Sequence, residues 1–231
     1  MKIFASAKLN LCLDILEKTP SGYHKIQTVL YEWKSLQNEI EIKETKKEQN
    51  NPTTLAHQAY EFLKKRHGIK ENFSIDIKRN IPFSSGLGGE SSNAASILKY
   101  FNKLWGLGLS INELKKIATK FGMDTPFFIE GGVAFGKNFG EEVSPLPVID
   151  LPLKVFAKRS SLKEKTKTAY STIDLKLCGK NTEKTQKAVS AIKKGDIASL
   201  ILNFHNDFET LTPTKNAQHL TGAGPSYFKI Q

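Results

Sequence analysis

Apolar and polar residues alternate strictly through the opening stretch "KIFASAKLNLCLDI", where Ile3, Ala5, Ala7, Leu9, Leu11, Leu13 and Ile15 share one face of an extended chain. A half-buried strand is therefore predicted, with Lys8 and Asn10 together on its polar face. "TPSGYHK" then supplies turn chemistry through Pro20 and Gly22. Period-two patterning returns in "NEIEIKE" and "FSIDIKR" through Ile40, Ile42, Phe73, Ile75 and Ile77. Between them "TTLAHQAYEFLKKRHG" has helical spacing, with Gly68 as its stop.

Farther along, Ala94, Ala95, Ile97, Leu98, Phe101, Leu104 and Trp105 make an apolar helical face. A second helix opens with the capping box Ser110 and Glu113 and closes at Gly122. "MDTPFFIEGGVAFG" reads as loop, strand and glycine turn. The prolines and fresh alternation of "VSPLPVIDLPLKVFAK" mark a boundary near residue 148, giving domains 1–148 and 149–231. The second contains a strand, a lysine-rich connection, helical stretches around 183 to 208 and the closing "TGAGPSYFKI".

At 231 residues and 39% apolar composition, the chain can bury one large core or two small ones. No apolar run approaches the roughly 18 residues of a membrane span, and "MKIFASAKLN" lacks the features of a signal peptide, so a cytoplasmic protein with no membrane partner is expected. Cys12 and Cys178 read as reduced packing residues. No Cys and His cluster suggests a metal, and metal ligands stay unassigned. The net charge of +11 invites a phosphorylated small molecule or nucleic acid. "KKRHGIK" and "KEKTKTAY" are basic, but lysines on helix ends and loops are ordinarily solvated. An RNA-binding protein would need aromatics interleaved with the lysines or a recognised motif, and the sequence has neither, which makes nucleic acid the weaker partner.

"NIPFSSGLGGESSNAASIL" carries the sharper chemistry. A loop of small residues entering a helix offers backbone N–H groups and the positive end of the helix dipole to an anion, and phosphate is the natural guest. It is not a Walker loop, because Gly89 is followed by Glu90 rather than by Lys and Ser or Thr. A dinucleotide fingerprint would want Gly or Ala where Ser91 stands.

Pro82, Gly86, Leu87, Gly88, Ser91, Ser92, Ala94 and Ala95 match the loop shared by the galactokinase, homoserine kinase, mevalonate kinase and phosphomevalonate kinase superfamily, which this chain resembles. "SAKLNLCLDIL", "SGYHKIQTVL", "GLGGESSNAA", "MDTPFFIEGG", "FHNDFE" and "TGAGPS" occur in the order expected of the 4-diphosphocytidyl-2-C-methyl-D-erythritol kinase family within it. The resemblance implies an α+β, two-domain fold, its N-terminal half like the second domain of ribosomal protein S5 and its C-terminal half ferredoxin-like. It also implies an enzyme that uses ATP and Mg2+ to phosphorylate a hydroxyl of a small molecule carrying a cytidine diphosphate group, in non-mevalonate isoprenoid synthesis. A related alcohol kinase and a catalytically impaired homologue are the alternatives, and the copy number stays open between monomer and homodimer.

The same resemblance implies the site. ATP phosphates would rest on Pro82, Phe83, Ser84, Ser85, Gly86, Leu87, Gly88, Gly89, Glu90, Ser91 and Ser92. Asp124 would serve as base near the attacking hydroxyl, and Lys8 would face it and the reacting oxygen. Asn10 would orient the substrate or that pair; Tyr23 would stack on the cytosine ring, His24 would read its edge and Tyr170 would supply the opposite aromatic. Glu90 stands where the family usually has glycine, open to repelling ATP, facing solvent or helping hold magnesium. Only eleven residues separate "NDFE" from "TGAGPS", so a shortened C-terminal domain is expected.

Overall fold

A computed structural model describes residues 1–46, 53–161, 165–214 and 217–231. Helices and strands mix as the α+β expectation requires. They form two compact units, neither continuous in sequence: Met1–Ala7, Trp33–Ile81 and Gly88–Glu130 make the first, and Lys8–Glu32, Pro82–Leu87 and Gly131–Gln231 make the second. The boundary expected near residue 148 falls inside the second unit. The reason lies in two long strands, β1 (Lys2–Lys18) and β2 (His24–Thr45), each of which contributes residues to both units.

In the first unit, the later part of β2 pairs antiparallel with β3 (Asn72–Lys78), setting Ile40 opposite Ile77 and Ile42 opposite Ile75. Helix α1 (Leu55–His67) begins where Thr54 accepts from the His57 N–H and ends at Gly68, whose left-handed backbone suits glycine. Helix α2 (Gly89–Leu104) and α3 (Ile111–Ala118) follow, α3 with the expected Ser110 and Glu113 capping box. Phe101 packs 4.3 Å from Trp105 and 4.9 Å from Tyr60, ring centre to ring centre. The Tyr60 hydroxyl accepts the Phe73 N–H at 3.0 Å, so this aromatic centre also fixes β3. Leu104, read as part of the buried face, is exposed at the end of α2.

"TPFFIE" is not the predicted strand. It forms the short helix α4 (Thr125–Glu130), with Thr125, Pro126, Phe127, Phe128 and Ile129 all buried. A four- or five-residue apolar run has no period of its own when every side is covered, and Pro126 is tolerated in a first helical turn.

In the second unit the strand order is β5 (Glu142–Leu146), β4 (Val133–Lys137), β2, β1 and β7 (His205–Asn206), with β7 parallel to β1 and Cys12 opposite His205. A separate three-stranded antiparallel sheet runs β6 (Leu153–Phe156), β9 (Tyr227–Ile230), β8 (His219–Leu220). Helices α5 (Lys165–Thr172), α6 (Thr182–Lys194) and α7 (Ile197–Ile201) complete the unit. The helical stretch expected to reach residue 208 stops at 201, followed by β7 and a 3-10 turn over Asp207–Thr210. Leu13, Ile15, Ile26, Ile173, Cys178, Phe208 and Leu220 form one core, against which Tyr170 packs.

The polar face of β1 is the main surprise. Every residue from Ala5 to Ile15 is buried, including Ser6, Lys8, Asn10, Cys12 and Asp14. Alternation reports side-chain chemistry, and a polar face closed by internal hydrogen bonds spells the same as a wet one. Both cysteines are free and buried as expected. Burial, with the charges of Asp207 and Asp174, pushes the Cys178 thiol up to about 11, and burial raises Cys12 further. Neither is primed to react. "KEKTKTAY" begins outside the described residues.

Candidate active site

In the second unit, Lys8 and Asn10 are only 3% and 4% exposed. The Lys8 N–H donates to the Leu87 carbonyl at 2.9 Å, tying the strand to the glycine loop, and Lys8 Nζ donates to Asn10 Oδ1 at 2.5 Å. Asn10 Oδ1 also accepts from the Gly222 N–H at 2.9 Å, while Asn10 Nδ2 donates to Thr28 Oγ1 at 2.8 Å. The Asn10 N–H donates to Thr221 Oγ1 at 3.1 Å. "TGAGPS" thereby acquires a structural role that its composition did not announce.

Gly86 explains why the loop needs glycine at that point. Its φ is +83°, and a Cβ added there would lie 2.2 Å from the Thr221 carbonyl oxygen. The Ser226 N–H donates to the Ser85 carbonyl at 3.2 Å, a second stitch between these backbones. Pro82, Phe83, Ser84, Ser85, Gly86 and Leu87 thus belong with the closing segment of the chain. Phe83 is exposed and Ser84 takes a left-handed backbone.

Gly88, Gly89, Glu90, Ser91 and Ser92 belong to the first unit. Gly88 is the N-cap of α2, with φ 72° and no side-chain cap hydrogen bond to the first turn. Gly89 has no room for more: an added Cβ would come 3.0 Å from Ile81 Cγ2. Glu90 finds a partner in Arg79, whose Nε donates to its Oε1 at 3.2 Å. An acid in the first turn also suits the helix dipole, so the carboxylate is locally accommodated on two counts. Behind it, Asn38 Oδ1 accepts the Asn80 and Ile81 N–H groups at 2.9 Å each and its Nδ2 donates to Asn93 Oδ1 at 3.0 Å, fixing the approach to the loop.

Asp124, half-buried in the first unit, immediately precedes α4. The segment is rigid because Thr125 is fully buried, its N–H donating to the Gly122 carbonyl at 3.1 Å and its hydroxyl to the Phe121 carbonyl at 3.1 Å.

The aromatic residues sort differently from one another. His24, the first residue of β2, stacks on Tyr170 with ring centres 5.1 Å apart and planes 26° from parallel. Burial, then the charge of Lys18, holds the His24 ring below the usual histidine range, so it is neutral near pH 7. Tyr23 is 55% exposed and tilts against Phe139 at 5.5 Å. Tyr170 meets Phe208 edge-on at 4.9 Å.

One cluster escaped the sequence reading. Asp14, wholly buried, accepts from Thr185 Oγ1 at 2.6 Å and Gln27 Nε2 at 3.0 Å, and its Oδ1 lies 3.1 Å from His205 Nε2. Burial works against the carboxylate, but the His205, Thr185 and Gln27 hydrogen bonds win and hold Asp14 below the usual range. Burial likewise opposes the imidazolium, but the hydrogen bonds that His205 makes to Asp14 through Nε2 and to the Asn203 carbonyl through Nδ1 raise it above the usual value. The only hint in the sequence is an acid on the strand's polar face; its partner lies 191 positions away.

Residues 54–132 match the family described as "GHMP kinases N terminal domain". The whole chain is 34% identical to 88% of a 4-diphosphocytidyl-2-C-methyl-D-erythritol kinase from Caldicellulosiruptor saccharolyticus, and 35% identical to 86% of one from Listeria monocytogenes. Among solved structures, a 4-(cytidine 5'-diphospho)-2C-methyl-D-erythritol kinase aligns over the full chain and 90% of its own length with a TM-score of 0.79 at 23% identity. A Streptococcus pneumoniae phosphomevalonate kinase in complex with phosphomevalonate and AMPPNP aligns over the full chain and 92% of its length at 0.70 and 14%. These two likenesses establish the two-domain kinase fold.

Proposed function

Because the chain belongs to the 4-diphosphocytidyl-2-C-methyl-D-erythritol kinase family, we propose that it transfers the terminal phosphoryl group of ATP to a hydroxyl of 4-diphosphocytidyl-2-C-methyl-D-erythritol, in the cytoplasm, as a step of non-mevalonate isoprenoid precursor synthesis. The observation that carries this reading is identity of about one third spread over the entire chain.

Phosphoryl transfer asks a protein for alignment and charge neutralisation more than for covalent chemistry. The N-terminal turn of α2, entered through Gly88 and Gly89 with no N-cap side-chain hydrogen bond, suits a polyphosphate. Asp124 accepts the hydroxyl proton as the new P–O bond forms and the bond to ADP breaks. Lys8, buried and oriented by Asn10, stabilises negative charge on the reacting oxygens.

Magnesium supplies charge neutralisation on the phosphates when bound. No group of three or more His, Cys, Asp and Glu side chains among the described residues could hold a metal. That fits an ion held largely by the nucleotide, the usual arrangement for magnesium, with the Ser91 and Ser92 hydroxyls and Glu90 as the nearby protein oxygens. His24 and Tyr170 supply the pyrimidine end, His24 presenting its ring nitrogens to the base edge and Tyr170 a stacking face; Tyr23 flanks them from the turn. The test is ATP consumption by purified protein with and without the diphosphocytidyl alcohol. Substrate-dependent ADP release is expected, and none at millimolar substrate would sink the assignment.

A further inference from the structure

The hydrogen-bond chain behind Lys8 ends on a residue with no role so far. Thr28 is 1% exposed and stands on β2 directly opposite Gly136 of β4. Its hydroxyl donates to the Cys12 carbonyl at 2.7 Å, which commits its single proton and leaves its lone pairs toward Asn10. Asn10 Nδ2 donates into them at 2.8 Å. The opposite end of the same amide meets two groups that can only donate, the Lys8 ammonium and the Gly222 N–H. The amide orientation is therefore determined from both ends.

Thr28 itself is pinned by its other branch. A Cβ added at Gly136 would sit 2.9 Å from the Thr28 Cγ2 methyl, so the methyl lies over a residue without a side chain. A β-branched residue with hydroxyl and methyl both committed has one available χ1.

We propose that Thr28 is a positioning residue for phosphoryl transfer: it fixes the Asn10 amide so that Oδ1, and not Nδ2, faces Lys8, and through it holds the lysine ammonium at the reacting oxygens. This rests on the kinase reading for its catalytic part and on geometry alone for its structural part. Without the Thr28 acceptor, Asn10 Nδ2 is left buried with no partner there, the amide is held from its Oδ1 end alone, and the acceptor of Lys8 is no longer rigidly fixed.

The experiment compares Thr28→Val, Thr28→Ser and Thr28→Ala in the full-length enzyme, measuring turnover, both KM values, the thermal midpoint and trace acetylation of Lys8 by mass spectrometry in the absence of substrate. Thr28→Val is expected to lower kcat roughly ten- to a hundredfold with little change in either KM, and to raise Lys8 acetylation. Thr28→Ser, which keeps the hydroxyl, is expected to recover most of both. In an Asn10→Ala background, Thr28→Val should cause no further loss, because the amide through which Thr28 reaches the lysine is gone. Should Thr28→Val fail to fold, the Ser against Ala comparison isolates the hydroxyl in the same way. Equal damage from Ser and Val, or additive losses with Asn10→Ala, would overturn the proposal in favour of simple packing. If the enzyme shows no activity toward the diphosphocytidyl alcohol, the kinase reading fails while the acetylation arm still decides whether Thr28 orders Lys8; unchanged acetylation in Thr28→Val and Thr28→Ala overturns it.

Discussion

Asn10 and Asp14 stand four residues apart on one face of β1, both buried, each the hub of a hydrogen-bond network within the second unit. Around Asn10 the network orients a cation: Thr28 and Gly222 set the amide, and the amide sets the Lys8 ammonium. Around Asp14 it neutralises an anion, with His205, Thr185 and Gln27 converging on one carboxylate. Burial and satisfied hydrogen bonding are common to both. What separates them is the charge at the centre, a lysine ammonium in one case and a carboxylate in the other.

The sharpest way to break that comparison is to remove charge from the two residues proposed to act on the reacting oxygens. Asp124→Asn and Lys8→Met are each expected to reduce turnover by about 100- to 10,000-fold while leaving urea midpoints and ATP binding nearly intact. Near wild-type turnover in Asp124→Asn would remove that carboxylate from the mechanism. His205→Ala should do the reverse. Taking one partner from a buried ion pair leaves Asp14 uncompensated and costs about 3–5 kcal/mol in chemical unfolding, with kcat of the folded fraction largely kept.

The same pair gives a pH signature. His205 titrates above the usual histidine value in the folded chain, so its contribution is complete below about pH 6.5 and is lost as pH rises through the raised folded value. The stability gap between the wild type and His205→Gln should shrink steadily over that alkaline range. A gap independent of pH would mean that the imidazole is neutral throughout.

Smaller effects are expected at Tyr170 and Glu90. Tyr170→Ala is expected to weaken binding of the diphosphocytidyl alcohol by roughly 1–3 kcal/mol, with ATP affinity hardly moved, as isothermal titration would register. Equal loss for both ligands would point instead to the core that Tyr170 shares with Phe208 and Leu13. Least of all, Glu90→Gly should change ATP affinity only a few-fold, because Arg79 already partners the carboxylate in a partly exposed pair worth roughly 0.2–1 kcal/mol. Arg79→Ala should weaken ATP more than Glu90→Gly does, and the double variant should restore it; a double variant no better than Arg79→Ala would separate the arginine from the glutamate.

Much of this was legible in the sequence, for identifiable reasons. The strand pattern of β1, the Ser110 box and the Gly68 stop follow from period and capping chemistry, both local. The glycines at 86 and 88 could be picked out as turn positions because the need for a positive φ is also local. "TPFFIE" misled because a short apolar run carries no period, and Lys8 and Asn10 looked solvated because burial is decided by residues far away in the chain. The Arg79 partner of Glu90, eleven residues back, and the His205 partner of Asp14 are products of topology. The sequence singled out Lys8 and Asn10 on β1 and passed over Thr28, which stands on the neighbouring strand and differs from ordinary strand threonines only in what it faces.

The stitching of residues 10, 86 and 221–222 has a consequence for how the protein comes into being. Asn10 waits for a partner 212 positions downstream, and the Gly86 carbonyl for one 135 positions downstream. A ribosome emitting about 5–20 residues per second supplies Gly222 roughly 10–40 seconds after Asn10. Chains stalled before Gly222 should therefore be catalytically silent however long they are left to mature, and activity should appear only once residues 221 and 222 have been made.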